Sequence, residues 1–282
     1  MKLHYQILFL LLITGPVSVG QNRQHPQFWQ ERPGTWRVSL ETGPTRYAGD
    51  MSEEKDLFRR PRLGGLVGGS VSYRFTPWLT ARADGRLYFI YGKQQDTRVW
   101  YNGLSFLALN PDVALTLQAD LWPVDDPVHV LIPYIFVGAG TTYLNTMTAY
   151  RGQFYSLPKQ HTEGIAYSRL PGILRWGVGM PVKTAYRGLF SIEFSYTHVL
   201  NDYLDDVSTR YPDFSQLSPL AAGLSDRRGD LGIPLPPNQP GDQRGNPTAR
   251  DGYFALTLRY THLWTTTARQ NYGRSRQAPR FR

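Results

Sequence analysis

The sequence feature that most constrains the fold is a period-two alternation of apolar and polar residues over long segments. It is clearest in LFSIEFSYTHVL, Leu189–Leu200, and in GYFALTLRYTHLW, Gly252–Trp264. Successive side chains of a β-strand point to opposite faces, so this alternation predicts strands with one apolar and one polar face. In the second segment, Phe254 and Trp264 flank an aliphatic stripe on the apolar face. Aromatic residues at both ends of such a stripe are typical of a strand that faces lipid.

The same alternation identifies eight candidate strands along the chain. Most of them contain about ten residues or more, a length that suits a tilted strand crossing a bilayer. The chain is rich in aromatic residues, glycine and proline, and it contains no cysteine. The sequence therefore predicts an all-β fold, an eight-stranded antiparallel transmembrane β-barrel of the outer-membrane type, without disulfides. The candidates are Trp36–Thr42, Leu63–Phe75, Trp78–Tyr91, Asp112–Leu121, Val130–Leu144, Gly172–Val182, Leu189–Leu200 and Gly252–Trp264.

The polar faces of these strands contain six cations and five anions, which nearly cancel. An eight-stranded barrel is only wide enough for side chains to fill its interior. We therefore expect these residues to pair into a plug that leaves no aqueous channel. They are Arg37, Arg74, Arg82, Arg86, Arg175 and Arg259 against Glu41, Asp84, Asp112, Asp120 and Glu193.

The connections between strands alternate between short and long. Thr76-Pro77, PVDDPVH and KTAYRG are short, whereas the segments that begin at Gly43, Gly92, Asn145 and Asn201 are long. Outer-membrane barrels have short periplasmic turns and long external loops, so a periplasmic amino terminus puts every long loop outside. A soluble lipocalin-like barrel is the structural alternative, but it would place its apolar residues inside. The barrel is predicted to span residues 36–264, with its longest external loop at 201–250.

The two chain ends are predicted to lie outside the barrel. Residues 1–20 combine Lys2 with a short apolar run and small residues before Gln21, the pattern of a cleaved signal peptide. Residues 21–35 would form a periplasmic amino-terminal segment, and residues 265–282 a basic periplasmic tail. The tail is either solvated or resting on anionic headgroups, or it is a docking peptide for a periplasmic protein. Its candidate docking residues are Arg269, Tyr272, Arg274, Arg276, Arg280, Phe281 and Arg282.

Several function classes are disfavoured by the residue patterns. The formal charge of +9 is not organised into a cluster of basic and aromatic residues, so nucleic acid is not an expected partner. The histidines lack metal-ligand spacing, no serine lies in a nucleophile elbow, and no glycine-rich stretch leads into a helix. We therefore predict no enzymatic activity, no cofactor and no small-molecule substrate. Outer-membrane lipids are the expected surroundings.

An acidic segment follows the seventh candidate strand. Asp202, Asp205 and Asp206 begin the longest external loop, and Asp50 begins the first. The first and seventh strands both adjoin the eighth in a closed barrel, so these carboxylates are expected to approach one another at the rim. A barrel-mouth hydrolase would need a histidine beside them, but His198 is predicted to face lipid.

Two other interpretations of the acidic segment remain. Asp202, Asp205 and Asp206 could supply calcium ligands, although their spacing is not that of an EF-hand. Alternatively, these side chains cap turn amides and pair with arginines such as Arg46 or Arg210, which would fix the loop stems. We favour the loop-anchor interpretation.

Three stretches together resemble a known family. They are ETGPTRYAGDM after the first strand, PYIFVGAGTTYLN along the fifth and THVLNDYLDDVSTRYPD after the seventh. The combination of Tyr47, Gly49 and Asp50 with DYLDDVS, which includes Tyr203, resembles the small outer-membrane β-barrels of Bacteroidota that include PorG, an accessory component of the type IX secretion system. The resemblance implies a non-enzymatic barrel that anchors a periplasmic ring built from a lipoprotein and its partner subunit. The alternative is an adhesin or ligand-binding protein that uses its long loops, including the proline-rich segment 213–250.

Overall fold

The computed structural model of the chain describes residues 33–52, 62–97, 99–123, 131–185, 188–232, 234–246 and 251–264. The predicted signal peptide at 1–20, nearly all of the segment 21–35 and the basic tail at 265–282 lie outside these residues. Within the described ranges the main elements are ten β-strands and one short helix. They are β1 Trp36–Ala48, β2 Leu63–Arg74, β3 Leu79–Lys93, β4 Ser105–Asp120, β5 Tyr134–Thr142, β6 Thr146–Tyr150, β7 Gln153–Ser156, β8 Gly172–Ala185, β9 Gly188–Val199, α1 Pro219–Ser225 and β10 Gly252–Trp264.

Eight of the strands close into an antiparallel ring in the order β1, β2, β3, β4, β5, β8, β9, β10, and β10 pairs back with β1. The cross-strand partners can be followed around this ring from Arg46 through Phe254, Tyr196 and Trp176. They return to β1 at Trp36, ten residues before the starting point. Such a stagger requires strands tilted by roughly 35–45° from the barrel axis. The predicted eight-stranded barrel is confirmed.

The outer wall of the ring is apolar. Its aliphatic side chains are well exposed, Leu40 by 66% and Leu115 by 74%. Trp36 and Trp264 lie side by side at one end of the wall and are also exposed. Exposed apolar residues between aromatic residues form the lipid-facing surface of a transmembrane barrel. No helix among the described residues is long and apolar enough to cross a membrane.

All eleven charged residues that were predicted to fill the barrel are buried. Arg82 on β3 donates to Glu193 on β9 across the ring, with Nη1 and Oε1 2.9 Å apart. Tyr253 on β10 donates to Asp112 on β4 at 2.6 Å, again between opposite walls. Side chains therefore bridge the lumen at two levels, as the balance of charges predicted.

Two strands extend well beyond the ends predicted from sequence, and each continues through a proline. The first strand was predicted to end at Thr42, but β1 continues through Pro44 to Ala48. The fourth was predicted to begin at Asp112, but β4 begins at Ser105 and contains Pro111. Proline cannot donate to a strand ladder. Pro44 pairs with β2 where the partners toward β10 are interrupted, and Pro111 pairs with β3 just before pairing to β5 starts.

The end of the barrel opposite the turn at 75–78 is covered by folded loops. We call this covering the external cap, after the side on which the alternation of loop lengths predicts it to lie. It comprises the described residues within 49–62, 94–104, 143–171 and 200–251. It includes the β6–β7 hairpin, which the alternation did not predict, and α1. One buried cluster joins leucines from three of these loops to the tyrosines at the top of the barrel: Leu104, Leu144, Leu157, Leu204 and Leu224. The cap is therefore packed onto the barrel as a continuous core.

Candidate functional site: the acidic network beneath the cap

The network is centred on Tyr47, near the external end of β1. Its hydroxyl lies 2.6 Å from Asp205 Oδ2 and 2.9 Å from Asp251 Oδ1. A tyrosine hydroxyl has a single proton to donate. At these distances the two carboxyl groups share the phenol as a hydrogen-bond partner. Asp251 directly precedes β10, and the sequence analysis did not single it out.

The backbone amides of the long loop complete the coordination of these two carboxyl groups. Asp205 Oδ1 accepts from the amide of Val207 at 2.9 Å, and Asp251 Oδ2 accepts from the amide of Leu204 at 3.1 Å. Asp205 and Asp251 are both fully buried. The loop that starts at residue 200 is thus fastened to the first and last strands of the barrel.

Gly49 fits closely against the Asp251 carboxylate and the Tyr47 hydroxyl. A Cβ at position 49 would collide with the Tyr47 hydroxyl and with the Asp251 carboxylate. The neighbouring Asp50 accepts from the amide of Asn246 at 2.6 Å, which connects the first loop to the end of the longest one. The structure therefore brings Tyr47, Gly49 and Asp50 together with Asp205, as expected because the strands that precede these two segments both adjoin the last strand.

Asp206 belongs to a second part of the network. Its backbone is in the left-handed region with φ of 67°, and its carboxylate accepts from Thr162 and from Tyr167, the latter at 2.6 Å. Arg244 lies 3.6 Å from this carboxylate and donates to the carbonyl of Asp206. Arg244 also donates to Glu163 at 2.9 Å. A single buried arginine thus connects three external segments of the chain.

Glu163 is the most heavily coordinated carboxylate of the cap. It accepts from the amides of Ser208 and Thr209 and, at 2.6 Å, from the Thr209 hydroxyl. Tyr203 stacks on Tyr167 with 4.2 Å between ring centroids, and its hydroxyl lies 3.3 Å from Glu163. These contacts give the DYLDDVS segment one fixed conformation.

One of the expected arginine partners, Arg210, contacts a backbone carbonyl instead of an aspartate. Arg210 donates to the carbonyl of Gly241 at 2.6 Å, and Arg46 lies on the outer wall. The cation beside Asp206 is Arg244, from the proline-rich segment that had no assigned role. Arg244 and Asp206 lie 38 positions apart in the chain, so no local sequence pattern predicts their contact.

Burial changes the proton affinity of the carboxyl groups beneath the cap. It raises the pKa of Asp205 and that of Asp251 well above the usual aspartate range, and the charge of Asp205 adds to the effect at Asp251. Burial also raises the pKa of Asp50, to about 6. It raises the pKa of Asp206 as well, although Arg244 opposes the effect. The network therefore retains protons at a pH where a solvated aspartate is ionised.

The geometry does not assemble a shared ligand set from Asp202, Asp205 and Asp206. Asp202 accepts from the Ser208 hydroxyl at 2.8 Å, while the other two face Tyr47 and Tyr167 respectively. Throughout the described ranges, no group of three or more histidine, aspartate or glutamate residues could hold a metal ion. The carboxylates instead accept hydrogen bonds that hold loop backbone in place. The candidate docking residues between Arg269 and Arg282 lie outside the described residues.

Comparisons with known proteins concern the barrel as a whole. No protein-family model matches the chain, and no curated protein matches it. Among solved structures it is similar to Neisserial surface protein A, with 10% identity, a TM-score of 0.44 and coverage of 80% of this chain and 96% of that one. It is also similar to OprG from Pseudomonas aeruginosa, with 11% identity, a TM-score of 0.42 and coverage of 84% and 99%. A third is Ail, the attachment invasion locus protein of Yersinia pestis, with 13% identity, a TM-score of 0.35 and coverage of 81% and 99%.

Proposed function

We propose that this chain is a non-enzymatic barrel of the outer membrane that anchors a periplasmic secretion assembly of the type IX system. The observation that supports an anchor over a pore is the closed lumen. Arg82 and Glu193 meet across the full width of the ring, and Asp112 and Tyr253 do so at a second level. A barrel filled in this way offers the membrane a rigid support and no water-filled path.

The proposed partner follows from the resemblance at Tyr47, Gly49, Asp50 and the DYLDDVS segment. These residues hold the cap to the barrel on the external side, so the periplasmic contacts would be made elsewhere. The basic tail at 265–282 is the natural candidate, since guanidinium groups bind carboxylates bidentately and aromatic side chains add apolar contact. The periplasmic ring of a lipoprotein and its partner subunit would then bind the membrane through this tail.

The test is co-purification of the detergent-solubilised full chain, followed by identification of the bound proteins. A second chain that ends after Thr267 removes all five tail arginines and leaves β10 intact. We expect the full chain to recover ring proteins and the shortened chain to recover fewer, with a strong dependence on salt. Equal recovery of ring proteins at low salt would exclude the tail as the contact. Absence of ring proteins from the full-chain sample would overturn the anchoring role.

A second candidate function is binding of a ligand or a host surface through the external cap. It is favoured by the rigid construction of the cap, in which Arg244 ties the long loop to Glu163. Tyr211 exchanges backbone hydrogen bonds with Gly241 and Asp242, so the segment between them can be shortened at its base. Replacement of residues 215–239 by a short glycine-serine linker should abolish surface binding but preserve secretion if this candidate is right. Loss of secretion with unchanged surface binding would contradict it.

A further inference from the structure

The β6–β7 hairpin of the cap forms one end of the sheet. β7 pairs with β6, and among the described strands no other strand pairs with it. The turn residues Arg151 and Gly152 both have positive φ, 49° and 80°, as a two-residue turn of type I′ requires. In such a hairpin the two residues that flank the turn, Tyr150 and Gln153, form a hydrogen-bonded pair. The turn therefore determines which backbone groups of β7 face β6.

The outer edge of β7 is open. Hydrogen-bonded and non-hydrogen-bonded pairs alternate along an antiparallel ladder, so the N–H and C=O groups of Phe154 and Ser156 point away from β6. Within the described part of the chain, no residue forms a hydrogen bond with these backbone groups. The opposite edge of the hairpin differs, because β6 pairs with β4 and the carbonyl of Ala149 accepts from Arg227 at 3.1 Å. The hairpin thus has one covered edge and one open edge.

The hairpin lies beyond the lipid-facing part of the wall. β6 meets β4 at Leu107, whereas Asp120, at the other end of β4, donates its amide to the carbonyl of the exposed Trp78. Leu107 and Asp120 are 13 positions apart in β4. At a rise of about 3.3 Å per residue and a tilt of about 40°, this corresponds to roughly 33 Å along the barrel axis, more than an apolar band of about 25 Å. The side chain of Phe154, which is 66% exposed, therefore faces solvent rather than lipid.

The surroundings of the open edge indicate the chemistry of its partner. Arg151 in the turn and Lys159 just after β7 are exposed cations, and neither forms an ion pair within the described residues. An added strand is therefore favoured if it has acidic residues near its ends and an apolar residue opposite Phe154. A second copy of this chain fits less well. Antiparallel overlap of β7 with its own copy would bring Arg151 of each chain toward Lys159 of the other, and like charges in such positions repel.

We infer that β7 is a docking edge for an extended peptide segment of another protein, which adds to β7 as an antiparallel strand and has acidic residues at its ends. Phe154 and Ser156 each offer one N–H and one C=O to the added strand, which gives the contact its affinity. Because β7 has only four residues, the contact is weak and reversible, and the short edge resists aggregation. The inference rests on the cap-binding candidate function and names its partner class. It does not depend on the segment 215–239 or on the anchoring role.

The probe is a fluorescently labelled heptapeptide with blocked ends, in which valine and threonine alternate between two terminal glutamates. Titration with the detergent-purified full chain, followed by fluorescence polarisation, should show saturable binding. S156P removes an outward N–H at a residue whose φ of −75° already suits proline, and it should weaken binding about fivefold, the loss of one backbone hydrogen bond. S156A is the matched control. It keeps the N–H and loses a buried hydroxyl that has no hydrogen-bond partner, so binding should be unchanged.

Two altered peptides test the same contact without any change to the protein. Methylation of the amide nitrogens that face β7 should abolish binding, and replacement of the terminal glutamates by lysines should weaken it. Equal binding by S156P and S156A, or undiminished binding of the methylated peptide, would overturn the backbone contact. Equal binding of the two charged peptides would overturn the acidic partner. Self-association of the chain that S156P weakens, without peptide binding, would overturn the inference in favour of a second copy. Heat-dependent gel mobility of each variant would establish that its barrel is folded.

Discussion

The chain contains two buried groups of charged side chains, one inside the barrel and one beneath the cap, and they are stabilised differently. In the barrel, Glu193 is within 3.0 Å of both Arg82 and Arg259, so opposite charges face each other. Beneath the cap, the hydrogen-bond partners of Asp205 and Asp251 are Tyr47 and backbone amides. The first arrangement depends on opposite charges, whereas the second depends on hydrogen bonds to carboxyl groups whose pKa is raised by burial. Substitutions that remove a charge but keep the shape of the side chain should distinguish them.

The largest effect is expected for Glu193→Gln. The substitution removes one of the two carboxylates that Arg82 and Arg259 share and leaves only Asp84 between them, which should lower the free energy of unfolding by about 3–5 kcal/mol. Urea titration of the purified barrel, followed by tryptophan fluorescence and gel mobility, measures this loss. Ser191→Ala is the control, since Ser191 is buried on the same face of β9 without a charge. A loss below about 1 kcal/mol would show that the interior does not depend on this charge.

A smaller and more local effect is expected for Arg244→Met. The change leaves Glu163 and Asp206 without their cation, at a local cost of about 3 kcal/mol. Hydrogen exchange should increase across residues 200–246 while the strands of the barrel remain protected. Arg210→Met serves as the control, because Arg210 is exposed and donates to the carbonyl of Gly241. If exchange increased equally in the barrel, the cap and the barrel would be a single cooperative unit.

Gly49→Ala tests the packing at the centre of the network. Its Cβ would press against the Tyr47 hydroxyl and the Asp251 carboxylate, and crowding of this kind typically costs about 1–3 kcal/mol. Proteolysis of the external loops should become faster. Gly65→Ala in β2 is a matched control, because a Cβ there meets no atom within 4 Å. Equal proteolysis rates for the two variants would contradict the proposed collision.

The mildest perturbation is pH. Burial raises the pKa of Asp205, of Asp251 and of Asp50, the last to about 6. Groups with raised folded-state pKa values contribute stability that is fully present below the unfolded value, about 3.9, and is lost as the pH rises through the folded values. Protection of cap amides, corrected for intrinsic exchange, should therefore fall roughly tenfold or more between pH 4 and pH 8.

Asp205→Asn sharpens this test, since it removes one carboxyl group and retains hydrogen-bonding capacity toward Tyr47. We expect a change in cap stability within about 1 kcal/mol at pH 5 and a weaker dependence on pH. The comparison with Glu193→Gln distinguishes the two regions, because loss of one carboxyl charge should be costly inside the barrel and nearly neutral beneath the cap. A pH profile identical to that of the unmodified chain would mean that other groups control the cap.

The sequence predicted the barrel and its interior well because period-two alternation assigns each strand residue to a face. All eleven charged residues of the polar faces are buried as that rule requires. The predicted strand ends were wrong near Pro44 and Pro111, where the strand lacks one of its two neighbours but does not end. Proline lacks the backbone N–H that a ladder hydrogen bond needs. A barrel strand can tolerate this wherever its pairing with one of its two neighbours is interrupted.

The cap was predictable only in outline. Adjacency of the first, seventh and last strands predicted that Asp50 and Asp205 would approach each other. The roles of Asp251, Glu163 and Arg244 depend on contacts between loops that no local periodicity describes. Arg244 and Glu163 lie 81 positions apart in the chain. The tail residues predicted to dock a periplasmic partner stay a prediction.

The shared hydroxyl of Tyr47 also dictates an order of assembly. Tyr47 belongs to the first strand and Asp251 immediately precedes the last, so their contact cannot form until β1 and β10 have paired and the ring is closed. Pairing of segments so distant in sequence is entropically costly and slow. The loop at Asp205 can therefore bind Tyr47 in this arrangement only after β1 and β10 have paired. A barrel in which β1 and β10 have not paired therefore lacks the contacts that hold the cap in place. A folded cap thus indicates a closed ring.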